Sequence, residues 1–250
     1  MSNLVVFLSG DRVGTAILEL LTVTPRESLY LVINSPTSLT SEIIKVHELT
    51  DKVLYSGEGL PPWNEIARKI EELKPVIGFS WFPFIYPKFL FELFDRGIIN
   101  LHNSYLPYNR GRHSTFWAIM DGTPIGASLH WIEQDIDSGN VIDQIQVHPP
   151  EFANASMVYS LQLDACIQLA SSYLSKPLDE ISQGTPQNLS ISTHHYAREI
   201  SNATSFSSSS FVTWGDVVKL IRSTSTELGS ITINYENGKS IKIWGKVIQG

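Results

Sequence analysis

Short apolar runs alternate with amphipathic segments along the first part of the chain, and this alternation constrains the fold more than any other feature. Residues 4–8 and 76–80 are largely apolar runs of strand length, as expected for strands that are covered on both faces. Residues 63–73 place Ile66 and Ile70 on one helical face. Alternating units of this kind predict an α/β fold with a doubly wound, Rossmann-like, mostly parallel sheet, whose ligands bind at the carboxyl ends of its strands.

The composition changes near residue 177, so we predict a main domain of residues 1–177 and a small C-terminal extension of residues 178–250. In the extension, the serine-rich run 205–210 predicts a loop, and residues 214–221 predict a helix. The tail predicts a β-hairpin closed by the Asn-Gly pair within residues 236–239. A lone hairpin is marginal in water, so we expect it to pack on the main domain or on a second subunit, which predicts a homodimer.

Polar side chains occur where the pattern otherwise predicts core. Residues 97–102 predict a short strand, and because side chains alternate along a strand, Asn100 and His102 share one face. Asp137 follows a second strand-like run, residues 125–132, in an Asp-Ser-Gly turn. Taken singly, such a residue is more often a turn or capping group. Together, the three predict a site at one edge of the sheet.

An amide, an imidazole and a carboxylate suit the transfer of a one-carbon acyl group to an amine. The amide and an imidazolium stabilise a tetrahedral oxyanion, and loss of one such donor typically costs roughly 100- to 1000-fold in rate. The carboxylate orients and charges the imidazole, or it accepts the proton of the attacking amine directly or through water. We therefore predict that Asn100, His102 and Asp137 are catalytic.

Four motifs in this order resemble the signature of the formyltransferases that use 10-formyltetrahydrofolate. The resemblance covers about residues 4–174, and Asp137 follows His102 by 35 residues, which fits the family's pattern. It implies that residues 1–177 are the catalytic domain and that 10-formyltetrahydrofolate is the formyl donor. The motifs are Asn100-Leu101-His102, Ser104-Tyr105-Leu106-Pro107, Arg110-Gly111 and Asp137-Ser138-Gly139.

Residues 123–132 and 136–142 further resemble the N-formyltransferases of nucleotide-linked amino sugars. The best known of these act on dTDP-4-amino-4,6-dideoxyhexoses made for bacterial surface polysaccharides such as the lipopolysaccharide O-antigen. The resemblance therefore implies a nucleotide-sugar acceptor. The methionyl-tRNA enzymes usually run longer, with a C-terminal barrel and a basic surface, and this chain departs from that pattern.

The predicted ligand contacts fall in two sets. In the first, the pteridine ring of the donor lies in a groove, and main-chain groups hold the edge of the ring. The residues assigned to it are Phe79, Ser80, Trp81, Leu106, Asp135 and Ile136. In the second, Gly10 and Arg12 hold a phosphate at a helix N-terminus, an ordinary tight turn being the alternative. Tyr105 and Arg112 complete that set, and for Arg112 a structural salt bridge is the alternative to contact with a diphosphate.

Composition limits the remaining classes. A formal net charge of −7 and a pI near 5.5 disfavour a nucleic-acid partner. No apolar run approaches the roughly 18 residues of a membrane span, and the N-terminus lacks the features of a signal peptide, so we expect a cytoplasmic protein without membrane contact. Cys166 predicts a buried thiol, and no set of residues has the spacing of a zinc site, so we expect no metal.

Three alternatives to a sugar N-formyltransferase stay open. A methionyl-tRNA formyltransferase or a formyltetrahydrofolate hydrolase would use the same three residues, the hydrolase with water as acceptor. A non-catalytic protein would bind the nucleotide sugar without turnover. The sequence identifies neither the sugar nor the nucleotide, nor whether the acceptor nitrogen is at C3 or C4. Outside the site, we expect His130 to be a buried hydrogen-bonding residue of its strand.

Overall fold

The structure, a computed structural model, describes residues 3–23, 28–151, 153–196, 198–207, 213–224, 231–234 and 239–243. The strands are β1 Leu4–Ser9, β2 Leu29–Asn34, β3 Val53–Gly57, β4 Ile77–Trp81, β5 Ile98–His102, β6 Arg110–Gly111, β7 Ile125–Trp131, β8 Val141–Val147, β9 His194–His195, β10 Ser205–Ser207, β11 Ile231–Asn234 and β12 Ser240–Ile243. The helices are α1 Arg12–Val23, α2 Ser38–Val46, α3 Trp63–Leu73, α4 Lys88–Phe91, α5 Ser114–Asp121, α6 Ala155–Leu174, α7 Glu199–Ala203 and α8 Trp214–Ser223.

A seven-stranded sheet organises the fold, in the order β3-β2-β1-β4-β5-β7-β8. Neighbours from β3 to β5 are parallel, whereas β7 pairs antiparallel with β5. The chain order reverses between β1 and β4, which is the switch point where ligands bind in open α/β sheets. The predicted α/β, mostly parallel sheet is therefore confirmed.

The elements follow from the apolar pattern. The side chains of Leu4 to Leu8 are each at most 1% exposed, because both faces of β1 are covered. Helix α3 has the predicted bounds and buries Ile66 and Ile70. The helix ends at Leu73. The next residue, Lys74, has a left-handed φ of 47°, and Pro75 after it cannot continue the helical hydrogen bonds.

One local prediction was wrong. We expected a loop at the start of the serine-rich run, but residues 205–207 form β10, because β11 offers that segment a strand to pair with. Residues 208–210 of the run lie outside the described residues. A second local feature departs from the usual preference for serine at helix N-caps. The N-cap position of α5 is His113, and the hydroxyl of Ser114 donates to the carbonyl of Asn103 instead.

The chain divides into two compact units. Unit 1 comprises Met1–His102, Ser128–Gln144 and Cys166–Gln187, and unit 2 comprises Asn103–Ala127, Ile145–Ala165 and Asn188–Gly250. The predicted boundary after residue 177 stays a prediction, although residues 178–187 belong to unit 1.

Unit 2 contains a small three-stranded sheet in the order β10-β11-β12, in which β11 and β12 are antiparallel. The turn that we expected between the last two strands includes residues 235–238, which lie outside the described residues. The hairpin therefore stays a prediction. In the same unit, α8 packs on α5. Among the described residues, no helix combines the length and the apolar character that a membrane span requires.

Candidate active site

Strand β5 and the loop after β7 bring the three predicted residues to one place in unit 1. The Nε2 atom of His102 lies 3.6 Å from Oδ2 of Asp137. The side chain of His102 is 10% exposed and that of Asp137 is 15% exposed, so a substrate has access to both. Asn100 joins them through a fourth residue, His130, whose Nε2 lies 3.2 Å from Nδ2 of Asn100 and 3.5 Å from Oδ1 of Asp137.

His130 is buried as we expected, but both groups at its Nε2 belong to the predicted catalytic set. The antiparallel register places His130 directly opposite Asn100. Its Nδ1 lies 2.8 Å from the carbonyl oxygen of Trp131 and must carry a proton, because a carbonyl oxygen only accepts. In neutral His130, Nε2 therefore accepts from the Asn100 amide. Sequence reasoning missed this role, although the polar pair Ser128 and His130 has the same two-residue spacing as Asn100 and His102.

A chain of buried hydroxyls determines which way the Asn100 amide points. The Tyr86 hydroxyl donates to Ser80 Oγ at 2.9 Å, and Ser80 Oγ donates to Asn100 Oδ1 at 3.0 Å. Burial raises the pKa of Tyr86 far above its ordinary value, so this hydroxyl stays protonated and remains a donor. With Oδ1 held by Ser80 and one Nδ2 hydrogen on His130, the second Nδ2 hydrogen is the one that a substrate can accept.

The turn that carries Asp137 packs tightly against β7. Asp137 has a left-handed φ of 49°. A Cβ on Gly139 would lie 2.0 Å from the carbonyl oxygen of Trp131, so only glycine allows this approach. That carbonyl is also the acceptor of the His130 Nδ1 proton. The Asp-Ser-Gly motif is therefore both a turn and part of the site.

The family model described as Formyl transferase matches residues 46–158, a segment that contains Asn100, His102, His130 and Asp137. Over this segment, the chain is similar to the formyl transferase family. A curated relative, the methionyl-tRNA formyltransferase of Desulforamulus reducens, is 33% identical over 99 residues, which are 37% of this chain and 30% of that protein. The match to this relative thus spans less than a third of its length.

Solved structures share the fold of this chain. A sugar N-formyltransferase from a Shewanella species has a TM-score of 0.78 and 16% identity, with 99% of each chain covered. An N-formyltransferase from Helicobacter canadensis, solved with folinic acid and dTDP-3-aminofucose, has a TM-score of 0.68 and 19% identity, with 89% of this chain and 80% of that chain covered. At these identities the likeness shows the fold.

The residues predicted to contact the donor lie in different environments in the structure. Phe79 and Ser80 are buried at 2% and 0% exposure, and Ser80 supports Asn100. Trp81 donates its indole N–H to Asp11 at 2.8 Å. Asp135 and Ile136 are exposed beside Asp137, at the loop expected to line the groove. The sixth residue, Leu106, is buried in unit 2. Their contacts with the donor stay predictions.

Gly10 and its helix have structural roles of their own. A Cβ on Gly10 would lie 2.0 Å from the carbonyl oxygen of Ser35. The N–H groups of Val13 and Gly14 both donate to Asp11 Oδ1 at 3.0 Å, which caps the start of α1. These two N–H groups are therefore already satisfied within the protein.

The other predicted nucleotide contacts lie on the surface or in unit 2. Arg12 is exposed at the start of α1. In unit 2, Arg112 is exposed, and Tyr105 is half-buried beside Gly126, its Cδ2 lying 3.0 Å from where a Cβ on that glycine would be. With Gly10, these residues stay predictions as nucleotide contacts.

No group of three or more metal-binding side chains occurs in the part of the chain that the structure describes. Cys166 is fully buried, and burial raises the pKa of its thiol far above the ordinary value, an effect that the carboxylate of Asp11 increases. A protonated thiol without access to solvent is not a nucleophile.

Proposed function

We propose that this formyl transferase moves a formyl group from 10-formyltetrahydrofolate to the amino group of a nucleotide-linked amino sugar. The acceptor type that we expect is a dTDP-4-amino-4,6-dideoxyhexose of bacterial surface polysaccharide synthesis, such as that of an O-antigen. The observation that carries the proposal is the Asn100 amide, oriented by Ser80 and His130 beside the His102–Asp137 pair. The Helicobacter canadensis structure, with folinic acid and dTDP-3-aminofucose, supports both substrate classes.

The residues around Asp137 fit a donor with a flat ring system. Ile136 is 42% exposed next to Asp137, so the loop offers an apolar surface together with the polar groups of its backbone. Folate supplies the formyl group when it is bound. The protein supplies orientation and charge, and these can be assigned to individual atoms.

Asn100 and His102 stabilise the negative charge that develops on the formyl oxygen. Asn100 uses its second Nδ2 hydrogen, which the contacts with Ser80 and His130 do not occupy. His102 donates a proton in a hydrogen bond and is charged by the carboxylate of Asp137. Donors held in place before the reaction need no reorganisation as the charge appears, which is why such groups accelerate acyl transfer.

Asp137 takes the proton that the attacking amine must lose. Its carboxylate lies between two imidazoles, at 3.6 Å from His102 and 3.5 Å from His130. These separations are longer than ideal hydrogen bonds, as is common for catalytic groups before substrate binds. The carboxylate therefore orients His102 first and then accepts the amine proton, directly or through water.

The direct test is a formylation assay with 10-formyltetrahydrofolate and a panel of dTDP-, UDP- and GDP-linked 3-amino and 4-amino sugars, read by mass spectrometry. We expect one formyl group to be added to one nucleotide sugar. His102→Ala and Asp137→Asn should each abolish most of the turnover while thermal unfolding stays unchanged. Near-normal rates in both variants would overturn the proposed roles.

The same assay includes methionyl-tRNA, because the curated relative that aligns with this chain is a methionyl-tRNA formyltransferase. Formylation of the tRNA and of no sugar would replace the proposed acceptor. Release of formate without any acceptor would identify a hydrolase. Binding of a nucleotide sugar without turnover would identify a non-catalytic binder.

The proposal includes a cytoplasmic location, where folates and nucleotide sugars are available, and a homodimer. We predicted the dimer because a lone hairpin needs a partner. The structure pairs β11 with β10, so part of that need is met within the chain. Light scattering at micromolar concentration distinguishes a dimer from a monomer, which has a mass of 28.0 kDa.

A further inference from the structure

The ten residues 178–187, which follow α6 and which we call the strap, bind to the elements that carry the candidate site. Near its start, the guanidinium of Arg96 donates to the carbonyls of Leu178 and Ile181. Further along, Trp131 Nε1 donates to the carbonyl of Ser182 at 3.2 Å. All of these residues belong to unit 1. The strap is therefore part of the fold around β7.

The second half of the strap runs along the loop after Asp137. Asn140 Nδ2 donates to the carbonyl of Gln183 at 3.1 Å. The backbones of Val141 and Thr185 exchange two hydrogen bonds of 2.9 and 2.8 Å. The backbone pair of Val141 and Thr185 brings Gln187, the last residue of the strap, to the Asp137 turn.

Gln187 holds both ends of that turn with one amide group. Its Nε2 donates to the carbonyl oxygen of Asp137 at 2.9 Å and to the carbonyl oxygen of Gly139 at 2.7 Å. Because both partners are carbonyls, which only accept, the nitrogen of the amide must face them. The two bonds use both Nε2 hydrogens and connect the two ends of the turn.

The geometry of Asp137 depends on such support. A non-glycine residue in the left-handed region is strained and persists only where its surroundings hold it. Asp137 has a φ of 49°, and its carboxylate lies 3.6 Å from His102 and 3.5 Å from His130, so a small movement of the turn would change both separations. A donor to its own carbonyl therefore acts directly on the position of its carboxylate.

We propose that Gln187 is a positioning residue, which holds the carboxylate of Asp137 between His102 and His130 by binding the turn that carries it. The expected effect on kcat rests on the proposed function, whereas the effect on the position of the Asp137 carboxylate does not. It assigns a role in the reaction to the extension that follows α6. Gln187 itself touches no reacting atom.

The decisive variant is Gln187→Glu, which keeps the shape of the side chain and replaces the donor by an acceptor. Its matched control is Asn140→Asp, at a residue that donates to the strap. This variant makes the same change from amide to carboxylate and adds the same charge, but leaves the bonds from Gln187 to Asp137 and Gly139 in place. Gln187→Met is the neutral comparison, since it removes the donor without adding a charge. All three are made in the full chain.

For Gln187→Glu we expect kcat to fall by about 10- to 100-fold, the effect of misplacing a catalytic group by about 1 Å. We expect KM for both substrates to stay within about threefold, because the binding surfaces are unchanged. Gln187→Met should lie between this variant and the parent. A kcat equal to that of Asn140→Asp, or a loss expressed in KM alone, would overturn the proposal.

A second readout needs no turnover. In protein labelled with ¹⁵N-histidine, the ring signals of His102 and His130, assigned with His102→Ala and His130→Ala, report the carboxylate between them. We expect both to move in Gln187→Glu and to stay in place in Asn140→Asp. Unmoved signals would overturn the role of Gln187, whatever the enzyme does. Moved signals in a protein that formylates no acceptor would reject the proposed function alone.

Discussion

At the scale of single residues, the orientation of one amide decides what the site can do. An asparagine presents a donor and an acceptor of nearly the same shape, and only the donor stabilises an oxyanion. Ser80, itself held by the Tyr86 hydroxyl, occupies the acceptor of Asn100. His130 occupies one of its two donor hydrogens. The remaining hydrogen is therefore oriented by hydrogen bonds within the protein.

Asn100→Asp tests this orientation, because the two side chains have the same shape. The variant replaces the donor by a carboxylate oxygen and adds negative charge where the reaction develops it. We expect kcat to fall by roughly 100- to 1000-fold. The measurement is the mass-spectrometric formylation assay, with thermal unfolding as the check of the fold. Asn140→Asp serves as control, and a loss no larger than in that variant would contradict the assignment.

Tyr86→Phe tests the buried hydroxyl that holds Ser80. At neutral pH, we expect it to cost about 1 kcal/mol of unfolding free energy, the net value of a typical hydrogen bond. The ordinary pKa of 10.0 is raised in the folded state, so unfolded chains lose the Tyr86 proton above pH 10 while folded ones keep it. The wild type should therefore lose up to about 1.4 kcal/mol more per pH unit above pH 10 than the variant.

Urea unfolding at neutral pH and at several pH values above 10 measures both effects of Tyr86→Phe. Stability from the Tyr86 hydroxyl is present below pH 10 and is lost as the pH rises. Parallel stability curves for the two proteins over this range would contradict the prediction.

At the scale of elements, the site depends on how closely the Asp137 turn approaches β7. The carbonyl of Trp131 contacts Gly139 and accepts from His130, so the turn and the strand meet at one atom. Gln187 holds the same turn at the carbonyls of Asp137 and Gly139. The position of the carboxylate is therefore a property of three elements rather than of the loop alone.

Gly139→Ala tests this packing. The added Cβ would lie 2.0 Å from the Trp131 carbonyl oxygen, so the turn must move and carry Asp137 with it. We expect kcat to fall by more than about tenfold. Gly59→Ala is the control, because a Cβ there meets nothing within 4 Å at a φ of 75°. That variant should cost only about 1 kcal/mol of stability from backbone strain and leave kcat unchanged. Equal kcat values in the two variants would refute the packing argument.

At the scale of the whole molecule, charge separates the candidate acceptors. The chain carries a formal net charge of −7. Tight binding of nucleic acid relies on many cationic contacts and on counterion release. A nucleotide sugar presents a diphosphate and needs only a few local donors. The charge of the molecule therefore favours the small acceptor.

Salt dependence tests this inference without variants. A protein with 6–10 phosphate contacts loses roughly 1,000- to 100,000-fold in affinity between 50 and 200 mM salt. For a nucleotide sugar we expect kcat/KM to change by less than about tenfold over that range. Steady-state assays at both salt concentrations measure it, with inorganic phosphate absent from the buffer. A change of a thousandfold would favour the tRNA acceptor.

The parallel α/β sheet and the positions of Asn100, His102 and Asp137 follow from local patterns in the sequence. Residues 4–8 are apolar throughout because β1 is covered on both faces, and the helical period of residues 63–73 predicted the bounds of α3. Asn100 and His102 were predictable because side-chain alternation along a strand is local. A pattern with a short period can be recognised from neighbouring residues alone.

The residues that support those three are known only from the folded chain. His130 lies opposite Asn100 because of the register between β5 and β7, which no local pattern contains. Gln187 binds the turn of Asp137 although 50 residues separate the two in sequence, and Ser80 binds Asn100 from the adjacent strand β4. The Ser114 hydroxyl serves a tertiary contact instead of a helix cap for the same reason. Hydrogen bonds between distant segments depend on where the folded chain brings them, and a single sequence does not encode that position in any periodic signal.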